Sequence, residues 1–413
     1  MGQGHTAPLY KVVAEGSITT PKGFTAGGIH CGLKKTTRND LGAIVCEVPA
    51  AAAGVYTTNV FQAAPLKVTR ESIGAGGRLR AVLVNSGNAN ACTGEQGEAD
   101  AYEMRNKFAE RVGIAADEVA VASTGVIGEL LKMDKVRSGI SELPAKLGSD
   151  KQAAESFCQA ILTTDLVQKM VCVSVEIDGQ LIHIAGAAKG SGMIHPNMAT
   201  MLGFVTTDAA IGSEALQQLL REATNHTFNM ITVDGDTSTN DMLVAMASGL
   251  AGNSELNAQH EGWAAFGAAL RHVCEVLAKA IARDGEGATK LVEVQVRGAV
   301  SDASAQAIAK TVIGSSLVKS AVFGADANWG RIIAAVGRAG EPVNPDTVDI
   351  SLGSIVTLQQ SKPVAFDEEK ALEYLKGDTV VIHVDLHMEA GAATAWGCDL
   401  TYDYVRINAA YRT

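Results

Sequence analysis

Hydrophobic and polar positions alternate along several parts of the chain in the two-residue period of a β-strand. The segment 170–187 predicts a β-hairpin, because apolar residues alternate with polar ones before Asp178-Gly179, a pair typical of a tight turn, and return after it. A second alternating run covers 380–388, and a third begins at Leu291. These patterns predict at least four strands.

Two other segments predict helices. The segment 213–225 begins with a serine suited to cap a helix and has Glu214 in its first turn. A longer helix is predicted from about 261 to 283, followed by Gly285 as a stop signal. Its apolar residues are spaced three and four apart on one face: Phe266, Leu270, Val273, Leu277 and Ile281. Helices and strands that alternate in this way predict an α/β or α+β fold.

Four segments rich in Gly, Ser, Thr and Asn are predicted as loops between these elements. They are 85–94, 123–128, 189–200 and 234–241. Such loops expose backbone N–H groups that ligands can use, although the same composition also makes ordinary turns.

Composition narrows the class of protein. The 413 residues are 47% hydrophobic and 19% charged, which is enough apolar mass for a large core. The net charge of −11 argues against binding to nucleic acid or to a membrane surface. Seven scattered cysteines form no Cys-x-x-Cys pair, and no run of 18 apolar residues occurs. We therefore expect a protein of the reducing cytoplasm.

Several standard motifs for binding nucleotides or metal ions do not match this sequence. The chain has no Walker A sequence and no convincing dinucleotide-binding fingerprint. The segment that starts at Asp234 begins like a calcium loop, but Thr239 and Ala245 stand where glycine and glutamate are needed. The nine histidines lack the spacing of metal ligands, so no metal site is predicted.

Thr200 is the candidate nucleophile. A loop with Gly190, Gly192 and Pro196 leads to it, and an apolar run that predicts a buried strand follows. If the peptide bond between Ala199 and Thr200 is cut, Thr200 gains a free α-amine with a pKa of about 7.7–8.0, which can act as the base for its own hydroxyl. The alternative is that Thr200 merely begins a strand, as threonine often does.

Six segments of the chain resemble the ornithine acetyltransferases, also called glutamate N-acetyltransferases, of arginine biosynthesis. The resemblance covers essentially the whole chain and includes an Ala-Thr pair at the position where that family cleaves itself. The segments are 85–94 (NSGNANACTG), 122–128 (ASTGVIG), 189–202, 233–241 (VDGDTSTND), 323–331 (FGADANWGR) and 407–413 (INAAYRT).

The resemblance implies a layered sheet-and-helix fold of the self-processing N-terminal-nucleophile type. It implies cleavage between Ala199 and Thr200 into an N-terminal chain, 1–199, and a C-terminal chain, 200–413. The products are expected to stay together and to assemble as a heterotetramer of two N-terminal and two C-terminal chains.

It also implies the reaction. Acetyl passes from N2-acetylornithine to Thr200 and then to glutamate, which predicts ping-pong kinetics. By the same resemblance, the Thr124 hydroxyl and the Gly125 backbone N–H hold the oxyanion of the tetrahedral intermediate.

The remaining site residues are also assigned by resemblance. Lys189 matches the family's substrate-binding lysine, and Thr163 matches a threonine that contacts substrate. Glu286 matches the acid expected to meet the ornithine ammonium, and Asn408 and Thr413 match C-terminal contacts. Without the resemblance, Lys189 and Glu286 would be interpreted as solvated side chains and Thr163 as part of a turn. The chain departs from the family at Leu166-Val167-Gln168, where a proline is common, and at Ala410, where an acid is expected.

No cofactor is expected, although some members of the family also use acetyl-CoA as the acetyl donor. Two other functions remain as alternatives. One is a related self-cleaving aminopeptidase or amidase that passes the acyl group to water, and the other is a non-catalytic protein that binds acetylated amino acids. Retention of Lys189, Glu286 and the 408–413 tail favours the transferase.

Overall fold

The computed structural model describes residues 9–195 and 201–410, which contain sixteen strands and eleven α-helices. The strands are β1 (Lys11–Val12), β2 (Phe24–Ile29), β3 (Leu41–Tyr56), β4 (Arg78–Asn88), β5 (Val119–Val126), β6 (Lys169–Ile177), β7 (Gln180–Lys189), β8 (Leu202–Thr207), β9 (Ile231–Thr232), β10 (Met242–Ala247), β11 (Leu291–Ala299), β12 (Asp349–Leu352), β13 (Ile355–Gln359), β14 (Lys362–Pro363), β15 (Thr379–Asp385) and β16 (Gly391–Cys398). The helices are α1 (Ala64–Gly76), α2 (Gly94–Val112), α3 (Met133–Glu142), α4 (Lys151–Ile161), α5 (Ser213–His226), α6 (Trp263–Arg283), α7 (Asp302–Ile313), α8 (Ser316–Phe323), α9 (Trp329–Gly337), α10 (Glu368–Leu375) and α11 (Tyr402–Ala409).

These elements form two compact units. Within the described residues, the first unit contains 9–190, 201–225 and 237–277, and the second contains 191–195, 226–236 and 278–410. The predicted chains 1–199 and 200–413 are cleavage products and not folding units, so the two compact units do not test them. That division stays a prediction.

The first unit is built on a nine-stranded sheet. Its strand order is β1-β6-β7-β8-β10-β3-β4-β5, with β2 beside β3. β8 is antiparallel to β7 and parallel to β10, and β10 is antiparallel to β3. Two strands from the C-terminal side of residue 200 therefore lie between strands from its N-terminal side.

Both faces of this sheet are covered by apolar cores. On β4, Val82 and Val84 belong to one core with Phe157 of α4, whereas Leu83 belongs to a second core with Phe108 of α2. Because successive side chains of a strand point to opposite faces, helices cover the two faces of the same strand. The predicted mixed α/β class and its layering of sheet and helix are confirmed.

The second unit is built on a seven-stranded sheet with the order β14-β13-β12-β15-β11-β16-β9. β11 is parallel to β15 and antiparallel to β16, and α7 packs against both β11 and β16. From Leu291 to Val296 every second residue of β11 is buried, namely Val292, Val294 and Val296, as the alternating pattern predicts.

Most of the predicted elements are confirmed. β6 and β7 form the hairpin with Ile177 opposite Gln180. Asp178 and Gly179 have φ values of 55° and 70°, the left-handed pair that a tight hairpin turn needs. The helix predicted from Ser213 is α5, and the longer one is α6, which begins at Trp263, close to the predicted start near 261.

Three predicted boundaries are wrong. β15 ends at Asp385 rather than reaching Met388, because His387 has a left-handed φ of 52° that breaks the extended backbone. The loops predicted at 85–94 and 123–128 begin inside β4 and β5, whose parallel ladder continues through their polar residues. The buried polar side chains there pair with each other, since Ser123 Oγ donates to Asn85 Oδ1 at 2.5 Å.

Candidate active site

Thr124 and Gly125, the predicted oxyanion residues, lie near the carboxyl end of β5. Thr124 is buried and is paired with Ser86 of β4, and Gly125 is paired with Gly87. Gly125 has a φ of 138°, and a Cβ added there would lie 2.3 Å from the carbonyl carbon of Gly87. Only glycine fits this approach of the two strands.

Lys189 is the last residue of β7, and it is buried rather than solvated. The residue is 8% exposed, and its Nζ donates to Thr124 Oγ1 at 3.0 Å. Since an ammonium group only donates, the Thr124 oxygen accepts this bond, and the hydroxyl hydrogen of Thr124 can be donated elsewhere. The structure therefore joins a predicted substrate-binding residue to a predicted oxyanion donor within the first unit.

Asp165 connects Thr163 to the end of β7. Its Oδ2 accepts the backbone N–H of Thr163 at 3.0 Å, and its Oδ1 accepts that of Gly190 at 2.7 Å. Lys169 Nζ lies 2.7 Å from the same Oδ1, and the side chains of Lys169 and Asp165 have no exposed surface. Burial alone would raise the pKa of Asp165, but the charges of Lys169 and Lys189, with hydrogen bonds from Lys169 and Gly190, lower it to about 2.

In the second unit, the structure brings Glu286 and Asn408 together. Asn408 of α11 donates from Nδ2 to Glu286 Oε2 at 2.8 Å. Glu286 is 8% exposed, so it is not the solvated carboxylate of the simpler interpretation. Its backbone N–H donates to the carbonyl of Ser191 at 3.0 Å, and a Cβ on Gly192 would lie 2.4 Å from its Cδ.

Asp234 holds the segment 191–195, which leads toward the predicted cleavage position. Sequence reasoning missed this residue. Its two carboxylate oxygens accept the backbone N–H groups of Met193 at 2.6 Å and of Ile194 at 2.8 Å. Met193 has a φ of 56°, which is strained for a residue with a side chain. The backbone N–H of Val233 donates to the carbonyl of Ile194 at 2.7 Å, so the segment is bonded along several residues.

Tyr404 is a second residue that sequence reasoning missed, and it lies near the carboxylates of Asp234 and Glu286. Burial and the nearby carboxylates of Asp234, Glu286 and Asp236, with a hydrogen bond to Asp234, raise the pKa of Tyr404 well above its usual range. The signal for Asp234 was its place in the segment 233–241. Nothing in the sequence singled out Tyr404.

The other predicted site residues, Ala199, Thr200 and Thr413, lie outside the described residues. In the part of the chain that the structure does describe, no group of three or more His, Cys, Asp or Glu side chains is placed to hold a metal ion. Across residues 9–195 and 201–410, no helix is both long and apolar enough to span a membrane.

Comparison with known proteins identifies the family. The ArgJ family model matches residues 25–413, and the chain belongs to the ArgJ family. The arginine biosynthesis bifunctional protein ArgJ of Geobacillus kaustophilus is 60% identical over 401 residues, which are 97% of each chain. The protein of the same name from Shouchella clausii is 59% identical over 400 residues, again 97% of each chain. The resemblance drawn from the six sequence segments is confirmed.

Two solved structures are similar to parts of the chain. The arginine biosynthesis bifunctional protein argJ of Bacillus halodurans is 61% identical with a TM-score of 0.50, and the match covers 50% of this chain and 98% of that one. An ornithine acetyltransferase complexed with ornithine, from Mycobacterium tuberculosis, is 37% identical with a TM-score of 0.43, over 46% of this chain and 100% of that one.

Proposed function

We propose that this chain is a glutamate N-acetyltransferase of arginine biosynthesis that transfers acetyl from N2-acetylornithine to glutamate. Its membership of the ArgJ family and the names of its 59–60% identical relatives support the proposal. The observation that carries it is the bond between Lys189 and Thr124, which sets a buried cation against a hydroxyl that can donate to an oxyanion.

The chemistry is acyl transfer through a covalent intermediate. The Thr200 hydroxyl attacks the acetyl carbonyl and its α-amine takes the proton. The Thr124 hydroxyl and the Gly125 N–H stabilise the oxyanion. The C–N bond of this tetrahedral intermediate then breaks, the Thr200 ammonium returns its proton to the leaving α-amine of ornithine, and acetyl stays on Thr200 as an ester. The glutamate α-amine attacks this ester and gives a proton to the Thr200 α-amine. Collapse of the second tetrahedral intermediate breaks the ester C–O bond, the proton passes to the Thr200 oxygen, and N-acetylglutamate is released.

The substrate contacts follow from the chemistry shared by donor and acceptor. Both carry an α-carboxylate, for which Lys189 supplies a cation and Thr163 a polar contact. Glu286 would accept the side-chain ammonium of ornithine, with Asn408 fixing the orientation of that carboxylate through its 2.8 Å bond. Thr413 is proposed as a further contact from the C-terminal tail.

We propose that the chain cleaves itself between Ala199 and Thr200 and acts in the cytoplasm as a heterotetramer of two of each product. The half-length match to the Bacillus halodurans chain over 98% of that chain supports two products of similar size. The position of β8 and β10 between β7 and β3 supports products that stay associated.

The reaction as proposed needs no cofactor and no metal. Acetyl-CoA is proposed as a second acetyl donor for glutamate, and the word bifunctional in the names of the relatives favours this addition.

The test combines intact mass measurement with an acetyl-transfer assay on the purified full chain. We expect two fragments, the second beginning Thr-Met-Leu-Gly, and transfer of acetyl from N2-acetylornithine to glutamate at rates that exceed hydrolysis. A Thr200→Ala variant should remain one chain and be inactive. Acetate release without transfer would favour the amidase alternative, and binding without cleavage or turnover would favour a non-catalytic protein. Either result would overturn the proposal.

A further inference from the structure

Asp165 is a fully buried carboxylate in the first unit that was not among the predicted site residues. Its side chain has no exposed surface, and its two oxygens accept bonds from Gly190 N–H at 2.7 Å, Lys169 Nζ at 2.7 Å and Thr163 N–H at 3.0 Å. A buried carboxylate is costly unless it is well paired, and this one is paired both to a cation and to the main chain.

The two bonds from Asp165 to the main chain are made at Thr163 and next to Lys189, two residues that are predicted to bind substrate. Gly190 directly follows Lys189, and the bond to its N–H fixes the chain at the point where β7 ends. The other oxygen fixes the backbone of Thr163 itself. One rigid carboxylate therefore sets the spacing between Thr163 and Lys189, although 25 positions separate Asp165 from Gly190 in sequence.

The position of Lys189 matters because its ammonium both bonds to Thr124 and is proposed to meet the substrate carboxylate. It donates to Thr124 Oγ1 at 3.0 Å and is 8% exposed, so it has little freedom to compensate for a shift of its own backbone. A displacement of β7 by a fraction of an ångström would change both the cation offered to a substrate and the hydrogen bond at Thr124.

Both lysines act on Asp165, since the charges of Lys169 and Lys189 lower its pKa against the effect of burial. Lys34 belongs to the same group of charges. Burial lowers its pKa to about 8, the charges of Asp40 and Asp165 raise it, and those of Arg38 and Lys189 lower it. Cations grouped in this way are suited to meet a substrate carboxylate.

We propose that Asp165 is a positioning residue that aligns Lys189 and Thr163 for recognition of the α-carboxylate of the amino-acid substrates. This inference rests on the proposed function. It adds that Asp165, through Lys189 and Thr163, determines the preference for a carboxylate on the α-carbon of the substrate. Asp165 itself does not touch substrate.

A simpler role for Asp165 is to neutralise buried Lys169. Two double variants separate the two roles, because both remove the whole Asp165–Lys169 ion pair and leave neither of its two charges without the other. Asp165→Asn with Lys169→Met keeps an oxygen that accepts from Gly190, while its amide nitrogen, which only donates, replaces the oxygen that accepts from Thr163. Asp165→Ala with Lys169→Met keeps none. Replacing a buried ion pair with uncharged groups of similar size is often neutral for stability.

The measurement is the ratio of kcat/KM for N2-acetylornithine to that for its α-carboxamide, with glutamate as the acceptor. A charged hydrogen bond to the carboxylate should make this ratio roughly tenfold to a hundredfold in the wild type. We expect the alanine double variant to lose about tenfold of that ratio and the asparagine double variant to keep most of it. A general loss of folded protein lowers both rate constants equally and leaves the ratio unchanged.

Asp165→Glu provides a second comparison if the alanine double variant does not fold. It keeps a carboxylate for Lys169 but is one methylene longer, so it displaces the chain at Gly190, and we expect it to lose selectivity that the asparagine double variant keeps. Equal ratios in all folded variants and the wild type would overturn the positioning role, as would equal loss in both double variants. An inactive wild type would instead overturn the proposed function.

Discussion

The Thr124 hydroxyl has two hydrogen-bonding roles, and the structure assigns one of them. Lys189 uses the oxygen as an acceptor at 3.0 Å, which leaves the hydrogen for donation. In acyl transfer, such a donor acts mainly on the tetrahedral intermediate, since its value comes from the negative charge that develops there.

Thr124→Val should therefore lower kcat for transfer from N2-acetylornithine by about 10²–10³. Valine has the same shape but no hydroxyl. Steady-state kinetics of the cleaved enzyme would measure the effect, and Thr124→Ser, which keeps the hydroxyl, is the matched control. A valine variant with wild-type kcat would show that Thr124 does not donate to the oxyanion.

Among individual residues, the sequence predicted the side chains that match a family pattern. The structure added side chains that hold the backbone of the site in place. Lys189 and Glu286 were predicted by position. Asp165 and Asp234 were missed because their bonds to the backbone N–H groups of Gly190, Met193 and Ile194 span 25 to 41 positions, a contact that no local pattern encodes.

Among the elements, the segment 191–195, which leads toward the predicted cleavage position, is held by Thr232 of β9 and by Asp234, which follows that strand. Asp234 accepts two consecutive backbone N–H groups, and His195 Nδ1 lies 3.0 Å from Thr232 Oγ1. A strained residue such as Met193 keeps its conformation only when its surroundings enforce it, and these bonds do so.

Asp234→Ala should slow self-cleavage by roughly tenfold to a hundredfold, because the strained segment would relax out of its geometry. The fraction of uncut chain, followed over time after a pulse of synthesis, would measure the rate. Asp236→Ala in the same loop is the control. It keeps the backbone N–H that Asp236 donates to Asp234 at 3.3 Å and removes a carboxylate that acts on Tyr404 and His195 through its charge. Equal cleavage rates in the two variants would contradict a role for the Asp234 carboxylate.

Local patterns predicted the elements better than their ends. The β6–β7 hairpin and helices α5 and α6 follow from periodicity and turn residues. The extension of β4 and β5 through Asn88 and Val126 does not, because polar residues there are stabilised by cross-strand partners such as Ser123 and Asn85.

For the molecule as a whole, Lys310 of α7 links stability to pH. Its Nζ donates to the carbonyls of Asn229 at 2.9 Å and Ile231 at 3.2 Å, and burial lowers its pKa to about 7. The charge of Lys310 is also among the causes, after burial, that lower the pKa of His195 to about 4. The ordinary pKa of a lysine is 10.5, so between these two values the unfolded chain binds more protons than the folded one.

The free energy of unfolding should therefore rise with pH from about 7 toward 10, and Lys310→Met should flatten that rise. Urea unfolding at pH 7, 8 and 9 would measure it through tryptophan fluorescence, since Trp396 is buried in the same unit. Lys362→Met, on the exposed strand β14, is the control. Parallel curves for wild type and Lys310→Met would contradict the assignment.

The interleaved sheet has a kinetic consequence. Once the proposed cut is made, β8 and β10 of one product are hydrogen-bonded between β7 and β3 of the other. Neither product can leave without breaking ladders on both sides, so the lifetime of the pair equals the waiting time for unfolding of the first unit. Dilution would not separate the two polypeptides, and separately synthesised halves would meet only while that sheet is still being built.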